Sequence, residues 1–344
     1  MSSPSKAVGK AEKTPASAPS RGRLPFGLTW RQIILKGPSI SPYLGLVALV
    51  IVYASLQEGV LTIETLNLET TTVLALAVIG VGQTIVILTG GIDLSVGGVV
   101  SVTSVLFATR HIGDSTPLLF LWFFLCLLLG GVVGMLNGLI VTRLRLQPFI
   151  VTFASWSILS GIALWILPLD GGEIPNGYIS FFNREFLGLG VAVWMIVLLG
   201  IFAAWFRRSR LGTSIRAIGS DRSAAFLAGA RVDRTTVAAY VLSGLFAAAA
   251  GLLLTAQTAT GSPGAGEPYV LESIAVVVIG GTYLAGGRGA IGGTIVAAYI
   301  LVVITNVVFV LSLPPAWSPL IVGVLLIVSV GASSFADFYA RRSS

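Results

Sequence analysis

The residues most able to contact a solute are polar side chains embedded in apolar sequence. Asp93 stands out, because its glycine-rich stretch, Thr89–Gly98, lies between two long apolar runs. A carboxylate at the centre of a bilayer costs about 2.5–3.5 kcal/mol, so such residues are rare and usually functional. Two interpretations remain open. Asp93 either caps the following helix by accepting from the amide of Ser95 or Val96, or it lines a pathway at a helix break.

Other hydroxyl, amide and carboxylate groups are suited to hydrogen bonds with a polar solute. The same groups also join neighbouring helices, so their types alone do not separate the two roles. The candidate pathway residues are Gln83, Thr84, Asp93, Ser95, Thr152, Ser155 and Asn306. Trp156 adds an aromatic face, for which packing or interfacial anchoring is the favoured interpretation.

Enzymatic chemistry has no visible basis in the chain. His111 and Cys126 are the only histidine and cysteine, so no Cys/His metal site and no disulfide can be built. No Gly-x-x-x-x-Gly-Lys-Ser/Thr stretch is present to bind a nucleotide. The sequence therefore predicts no catalytic residue, no metal and no cofactor, and any ATP hydrolysis must belong to a separate chain.

The composition is typical of a membrane protein. Of 344 residues, 55% are hydrophobic and only 10% are charged, whereas soluble domains carry about 25% charged residues. The apolar runs are continuous, which favours helices of about 17–25 residues over the alternating strands of a barrel. We therefore predict an all-α polytopic membrane protein with about ten transmembrane helices and both termini cytoplasmic.

Hydropathy and charge together define the predicted topology. The ten predicted spans are Ser41–Leu56, Thr71–Thr89, Leu94–Thr109, Pro117–Ile140, Phe149–Pro168, Leu187–Phe206, Thr235–Ala256, Tyr269–Ala285, Ala290–Leu311 and Trp317–Ser334. With the N-terminus inside, 19 of the 21 Lys and Arg fall in cytoplasmic segments. Adding or removing one predicted span would destroy this bias. The predicted domains are a disordered basic tail at 1–40, a transmembrane domain at 41–335 and a cytoplasmic tail at 336–344.

The predicted outer loops carry acidic residues rather than basic ones. These residues are Glu58, Glu64, Glu69, Asp114, Asp170, Glu173, Glu185 and Glu267. The longest of these loops, 170–186, is interpreted as a solvated turn in preference to a docking element.

Two glycine pairs share one spacing. The spacing from Gly90-Gly91 to Gly97 equals the spacing from Gly286-Gly287 to Gly293. Each glycine pair also follows a Val-Ile-Gly run. The match marks either paired breaks in two halves of the fold or a chance consequence of 41 glycines.

The cytoplasmic segment 207–234 contains a short capped helix. Ser220 or Asp221 is a suitable N-cap and Gly229 a suitable C-terminal stop, with Ala224, Ala225 and Ala228 forming a small-residue face between them. Such a helix suits docking of a soluble protein. The alternative is an ordinary connection made basic by topology, which explains the arginines but not the capped alanine helix.

Four stretches resemble the permease subunits of ribose-type ATP-binding-cassette importers. Leu88–Gly97 (LTGGIDLSVG) is similar to the family signature, and Asn137–Leu139 with Leu146–Thr152 is similar to a second segment. Arg216–Gly219 with Ala224, Ala225 and Gly229 resembles the ATPase-facing loop, and the glycine-rich stretch 279–294 resembles a fourth segment. The resemblance covers roughly residues 40 to 335. Two departures are Ser160-Gly161 in place of Arg-Gly, and Gly219-Ser220 in place of Gly-Asn.

This resemblance implies a permease subunit that translocates a monosaccharide, such as a ribose-like pentose, a hexose or a related polyol, across the inner membrane. The implied partners are a cytoplasmic ATP-binding subunit, an extracytoplasmic sugar-binding protein, a second permease copy in a homodimer or heterodimer, and membrane lipid, but no nucleic acid. The implied ATPase-docking residues are Arg216, Gly219, Ser220, Asp221, Ala224, Ala225 and Gly229. Alternatives are a self-sufficient carrier or channel, a nucleoside or branched-chain amino acid permease, and a membrane scaffold.

Overall fold

The computed structural model describes residues 30–110 and 115–342, with side chains at 40–110 and 115–331. These residues form helices α1 (Trp30–Leu56), α2 (Ile63–Ile87), α3 (Ser95–Ala108), α4 (Thr116–Arg143), α5 (Pro148–Ile166), α6 (Asn176–Phe182), α7 (Val191–Arg208), α8 (Arg210–Ser220), α9 (Arg222–Leu227), α10 (Val232–Thr258), α11 (Glu267–Ile279), α12 (Ile291–Val310) and α13 (Trp317–Arg342). A two-stranded antiparallel hairpin, β1 (Glu185–Phe186) and β2 (Leu189–Gly190), precedes α7.

The predicted all-α polytopic membrane class is confirmed. Within the described residues, α2, α4, α5, α7, α10 and α12 are long and apolar enough to cross a membrane. The other four predicted spans coincide with α1, α3, α11 and α13, of which α3 has 14 residues and α11 only 13. Helix α1 begins at Trp30, ten residues before the predicted end of the N-terminal tail, and α13 continues past residue 335. Residues 1–29 of that tail lie outside the described part of the chain.

Helices α2 and α10 form the interior of the molecule. The apolar parts of α2 and α10 are 89% and 61% buried, whereas those of α4 and α7 are each 17% buried and leave apolar faces outward. Glycines let helix α4 approach α10 closely. A Cβ at Gly134 would overlap the Tyr240 backbone, and a Cβ at Gly130 would overlap the Gly244 carbonyl. Small residues that let helix backbones touch are a usual source of packing energy in membranes, where the hydrophobic effect does not drive helix association.

The helices end on two chemically different faces. The face with segment 207–234, here called the basic face, also carries Arg143, Arg145 and Arg288. The opposite face carries the 168–190 loop, where the Asn67 side-chain oxygen accepts from the Gly190 amide at 2.9 Å. The interpretation of this loop as a solvated turn was wrong, because it forms α6 and the hairpin and buries Ile174 and Tyr178.

A non-helical segment, 259–266, folds back into the molecule between α10 and α11. It begins beside Gly171 near the end of α3, where the Gly261 and Gly171 backbones pair, and reaches Gly97 near the start of α3. The Ser104 hydroxyl accepts from the Ser262 amide and the Ser101 hydroxyl from the Gly266 amide, at 3.2 and 3.1 Å. Irregular backbone at membrane depth is tolerated when protein groups satisfy it in this way.

Candidate functional site

Three segments meet through their backbones on the basic face. The Gly287 amide, in the connection between α11 and α12, donates to the Leu88 carbonyl at the end of α2, at 3.0 Å. Gly219, near the end of α8, packs against both groups. We call the contact among Leu88, Gly219, Ser220, Gly286 and Gly287 the three-way junction. The repeated glycine pairs therefore do mark two breaks that touch each other.

Side chains are sterically excluded from this junction. A Cβ at Gly219 would overlap the Leu88 carbonyl oxygen and lie 2.5 Å from the Gly287 nitrogen. A Cβ at Gly286 would lie 2.8 Å from the Gly90 nitrogen. Gly90, Gly286 and Gly287 also have positive φ angles of 85°, 90° and 75°, which favour glycine. Helix α8 therefore contacts the backbone of both breaks directly.

The predicted docking segment consists of two helices rather than one. Helix α8, absent from the sequence prediction, buries Ile215 and Ile218 beneath its polar face. Asp221 then caps α9, since its Oδ1 accepts from the amides of Ser223 and Ala224 at 2.8 and 2.9 Å. Gly229 has a φ of +85° just after the helix, as expected for a C-terminal stop.

Ser220 and Arg216 belong to α8 and do not cap α9. The Ser220 hydroxyl donates to the Arg216 carbonyl at 2.9 Å, and the Arg216 guanidinium donates to the Arg207 carbonyl. Partial burial and then the neighbouring positive charge of Arg207 lower the pKa of Arg216. Both residues stabilise the turn that leads into the three-way junction.

The predicted alanine face is only partly available to a partner. Ala224 is exposed, whereas Ala225 is buried against Ile218 and Val232 and does not lie on the exposed face of α9 in the single chain. The large side chains that α9 exposes are Phe226 and Leu227, whose exposed fractions are 68% and 84%. Sequence reasoning missed both, although two adjacent apolar residues on a polar loop are a recognisable signal.

A groove of about 1160 Å³ separates α9 from the turn between α4 and α5. Its lining combines apolar side chains with arginines from both sides, which are Arg143, Arg145, Arg222, Arg231 and Arg234. Arg222 forms an ion pair with Asp233 at 3.0 Å. The groove and the exposed apolar pair on α9 form one continuous amphipathic surface.

Asp93 begins a chain of buried hydrogen bonds that crosses three helices. Its Oδ1 accepts from the amide and hydroxyl of Ser95 at 3.0 and 2.5 Å, so the predicted contact with the Ser95 amide is present, although Leu94 and not Asp93 is the N-cap residue of α3. Ser95 Oγ accepts from Asn137 Nδ2 at 2.9 Å, and Asn137 Oδ1 accepts from the Ser155 hydroxyl at 2.6 Å. Asp93 itself is wholly buried. The structure thus brings three of the predicted pathway residues together and adds Asn137, which sequence reasoning did not assign to the site.

The remaining pathway candidates fall into separate places. The Thr152 hydroxyl donates to the Ile92 carbonyl at 3.2 Å and so borders the Asp93 chain. Thr84 is wholly buried and hydrogen-bonds Thr294 on α12 at 2.7 Å, as an interhelical contact would. Gln83 is also wholly buried, and neither of its polar atoms has a partner among the described residues.

Asn306 does not join this group. Its Nδ2 donates at 3.1 Å to Glu69, near the start of α2. From Glu69 to Ile87, α2 rises about 27 Å at 1.5 Å per residue, so Asn306 lies near the opposite face and away from Asp93.

Comparison with known proteins identifies the family. The family described as the permease component of branched-chain amino acid transport systems matches residues 67–330. The chain belongs to this permease family. The permease is 36% identical to the ribose import permease protein of Bacillus subtilis over 85% of its own length and 91% of the relative's. It is 33% identical to the ribose import permease protein of Escherichia coli K12, over 90% and 96% of the two chains.

A third relative of the permease has a different sugar in its name. The fructose import permease protein of Rhizobium meliloti is 34% identical, over 85% of the permease and 84% of the relative. No solved structure matches the permease.

Proposed function

We propose that the permease is the membrane-spanning subunit of an ATP-driven monosaccharide importer in the inner membrane. The observation that carries this proposal is the three-way junction, where the exposed docking segment contacts both glycine breaks by backbone alone. A partner that moves α8 and α9 can thereby reshape the path between α2, α3, α11 and α12. Relatives named for ribose and fructose import support a sugar as the solute.

The proposed topology has ten membrane-crossing segments with both termini in the cytoplasm. The arginine-rich basic face supports its assignment to the cytoplasm, because Lys and Arg accumulate on that side. In this arrangement α3 and α11 are short segments supported by neighbouring protein, and segment 259–266 enters from the outside. Interrupted helices of this kind are a known way to build transport sites.

The proposed partners act on opposite faces of the permease. A cytoplasmic ATP-binding subunit docks on α9, with Phe226 and Leu227 as apolar anchors beside the arginine-lined groove. An extracytoplasmic sugar-binding protein delivers the solute to the opposite face, and a second permease copy completes the transport unit. The permease itself hydrolyses no ATP, consistent with a chain that has no phosphate-binding glycine loop.

Reconstitution in liposomes tests this proposal. Radiolabelled pentoses and hexoses, beginning with ribose and fructose, are offered to permease-containing vesicles with and without the ATP-binding subunit, the binding protein and ATP. We expect uptake only when all components and ATP are present. Equal uptake by the permease alone, or uptake driven by an imposed proton gradient without ATP, would instead indicate a self-sufficient carrier or channel.

A further inference from the structure

Glu267 lies deep in the molecule and not in the outer loop where its sequence context suggested. It follows Gly266, whose amide donates to Ser101 and whose carbonyl oxygen lies 2.8 Å from where a Cβ at Gly97 would be. Between Gly97 and Ala108, α3 rises about 16 Å at 1.5 Å per residue. Ala108 is at the opposite face, because its carbonyl accepts from the Glu173 amide in the 168–190 loop. Glu267 is therefore about half-way through a hydrocarbon layer of roughly 30 Å.

The Glu267 side chain is exposed at this depth in the single chain. It forms no ion pair and no side-chain hydrogen bond with any described residue. A carboxylate facing lipid tails there would be strongly disfavoured, so the surface in front of it must be lined by water or polar groups. Glu267 thus marks a surface that faces water or polar groups rather than lipid tails.

Trp156 borders the same surface from α5. A Cβ at Gly97 would lie 3.3 Å from the indole Nε1 of Trp156, so this ring is adjacent to the start of α11. The ring is half-buried, and Nε1 donates to none of the described residues. Ser155, the end of the Asp93 hydrogen-bond chain, immediately precedes it. Trp156 and Gly266, the residue before Glu267, therefore both contact Gly97, which places Trp156 and Glu267 at the same depth.

We propose that Glu267 and Trp156 form a sugar-contact site half-way along the transport path. The carboxylate accepts hydrogen bonds from sugar hydroxyls, and the indole covers the apolar C–H face of the ring while its N–H donates. This inference rests on the proposed function, and it adds the side chains that contact the solute at the middle of the path. The solute class that fits is a neutral polyol that offers both hydroxyl donors and an apolar face.

Thiol accessibility tests the aqueous surface without reference to transport. Glu267→Cys is made in a Cys126→Ala background, which removes the buried native thiol. The matched control is Leu128→Cys, whose side chain is 60% exposed at a similar depth on the outward face of α4. A charged, hydrophilic thiol reagent should modify position 267 but not position 128 in proteoliposomes of the full complex. Equal resistance at both positions would overturn the site.

Uptake kinetics test the sugar contact itself. For the full complex with ribose, Glu267→Gln should raise KM about tenfold, because charged hydrogen bonds contribute more than neutral ones. Trp156→Ala should raise KM more than Trp156→Phe. The control Glu64→Gln alters an exposed carboxylate at the start of α2 and should leave KM unchanged.

The outcomes separate this site from the proposed function. An unaltered KM in Glu267→Gln, with wild-type uptake intact, overturns the sugar contact and leaves the importer proposal standing. Absence of ATP-driven uptake of every sugar by the wild-type complex overturns both.

Discussion

The Gly287 amide donates a hydrogen bond to the Leu88 carbonyl at 3.0 Å and so joins two helix breaks that are nearly 200 residues apart in the chain. Gly219 of α8 packs against this hydrogen bond, and a side chain at position 219 would overlap it. Helix α8 therefore packs directly against the hydrogen bond between the two breaks. Force applied to α8 reaches both of them without an intervening side chain.

Docking of the ATP-binding subunit should depend on the exposed apolar residues of α9. Leu227→Asp places a charge where an apolar anchor is proposed, at a side chain that is 84% exposed. We expect the variant to fold normally and to lose the ATP-binding subunit during affinity purification. The control Leu187→Asp alters a side chain that is 78% exposed on the opposite face and should retain it. Normal co-purification of Leu227→Asp would contradict docking at α9.

Ala225 should behave differently from its exposed neighbours. It is buried among Ile218 and Val232, so a larger residue would strain the packing between α8 and α9, at a cost of about 1–3 kcal/mol. The distinction follows from the side of the helix that each residue occupies.

Asp93 should contribute to stability through Ser95. Asp93→Ala leaves the buried Ser95 hydroxyl and amide without their acceptor, a loss of about 1–3 kcal/mol. Asp93 and Ser95 are joined by hydrogen bonds. The effects of Asp93→Ala and Ser95→Ala on the free energy of unfolding should therefore deviate from additivity by about 0.5–3 kcal/mol in a double-mutant cycle. Thermal or denaturant unfolding of the purified permease measures both effects.

The control for this cycle is Ser157→Ala. Its hydroxyl donates only to the Phe153 carbonyl on an exposed part of α5, so the free energy of unfolding should change by no more than about 0.5 kcal/mol. Strict additivity of the Asp93 and Ser95 substitutions would mean that their hydrogen bonds add nothing to stability.

The sequence predicted the apolar helices well because length and hydropathy determine them locally. It also located Asp93, its contact with Ser95 and the cap at Asp221, since each of these contacts joins residues two or three positions apart. Helix α8 was missed although Leu211, Ile215 and Ile218 follow a helical spacing, because glycine, serine and arginine residues between them lowered the hydropathy.

Long-range contacts account for the rest of what the sequence did not predict. The fold-back of 259–266 depends on Ser101 and Ser104, about 160 residues earlier, which satisfy its amides. Hydropathy assigns Glu267 to a loop because it depends only on the polar residues next to it in the sequence. It contains no information on the contacts of 259–266 with α3. Asn137 was likewise part of a recognised motif, but its bonds to Ser95 and Ser155 require three helices to be placed together.

Coupling through the three-way junction is central to the proposed transport function, and Gly219→Ala tests it. The added methyl would overlap the Leu88 carbonyl, so it must displace α8 from the breaks, whereas Gly200→Ala adds a methyl where nothing lies within 4 Å. The measurement is the amount of sugar taken up per ATP hydrolysed by the reconstituted complex. We predict a fall of about tenfold or more for Gly219→Ala, with the subunits still associated, and no change for Gly200→Ala. An unchanged ratio in Gly219→Ala would contradict the account.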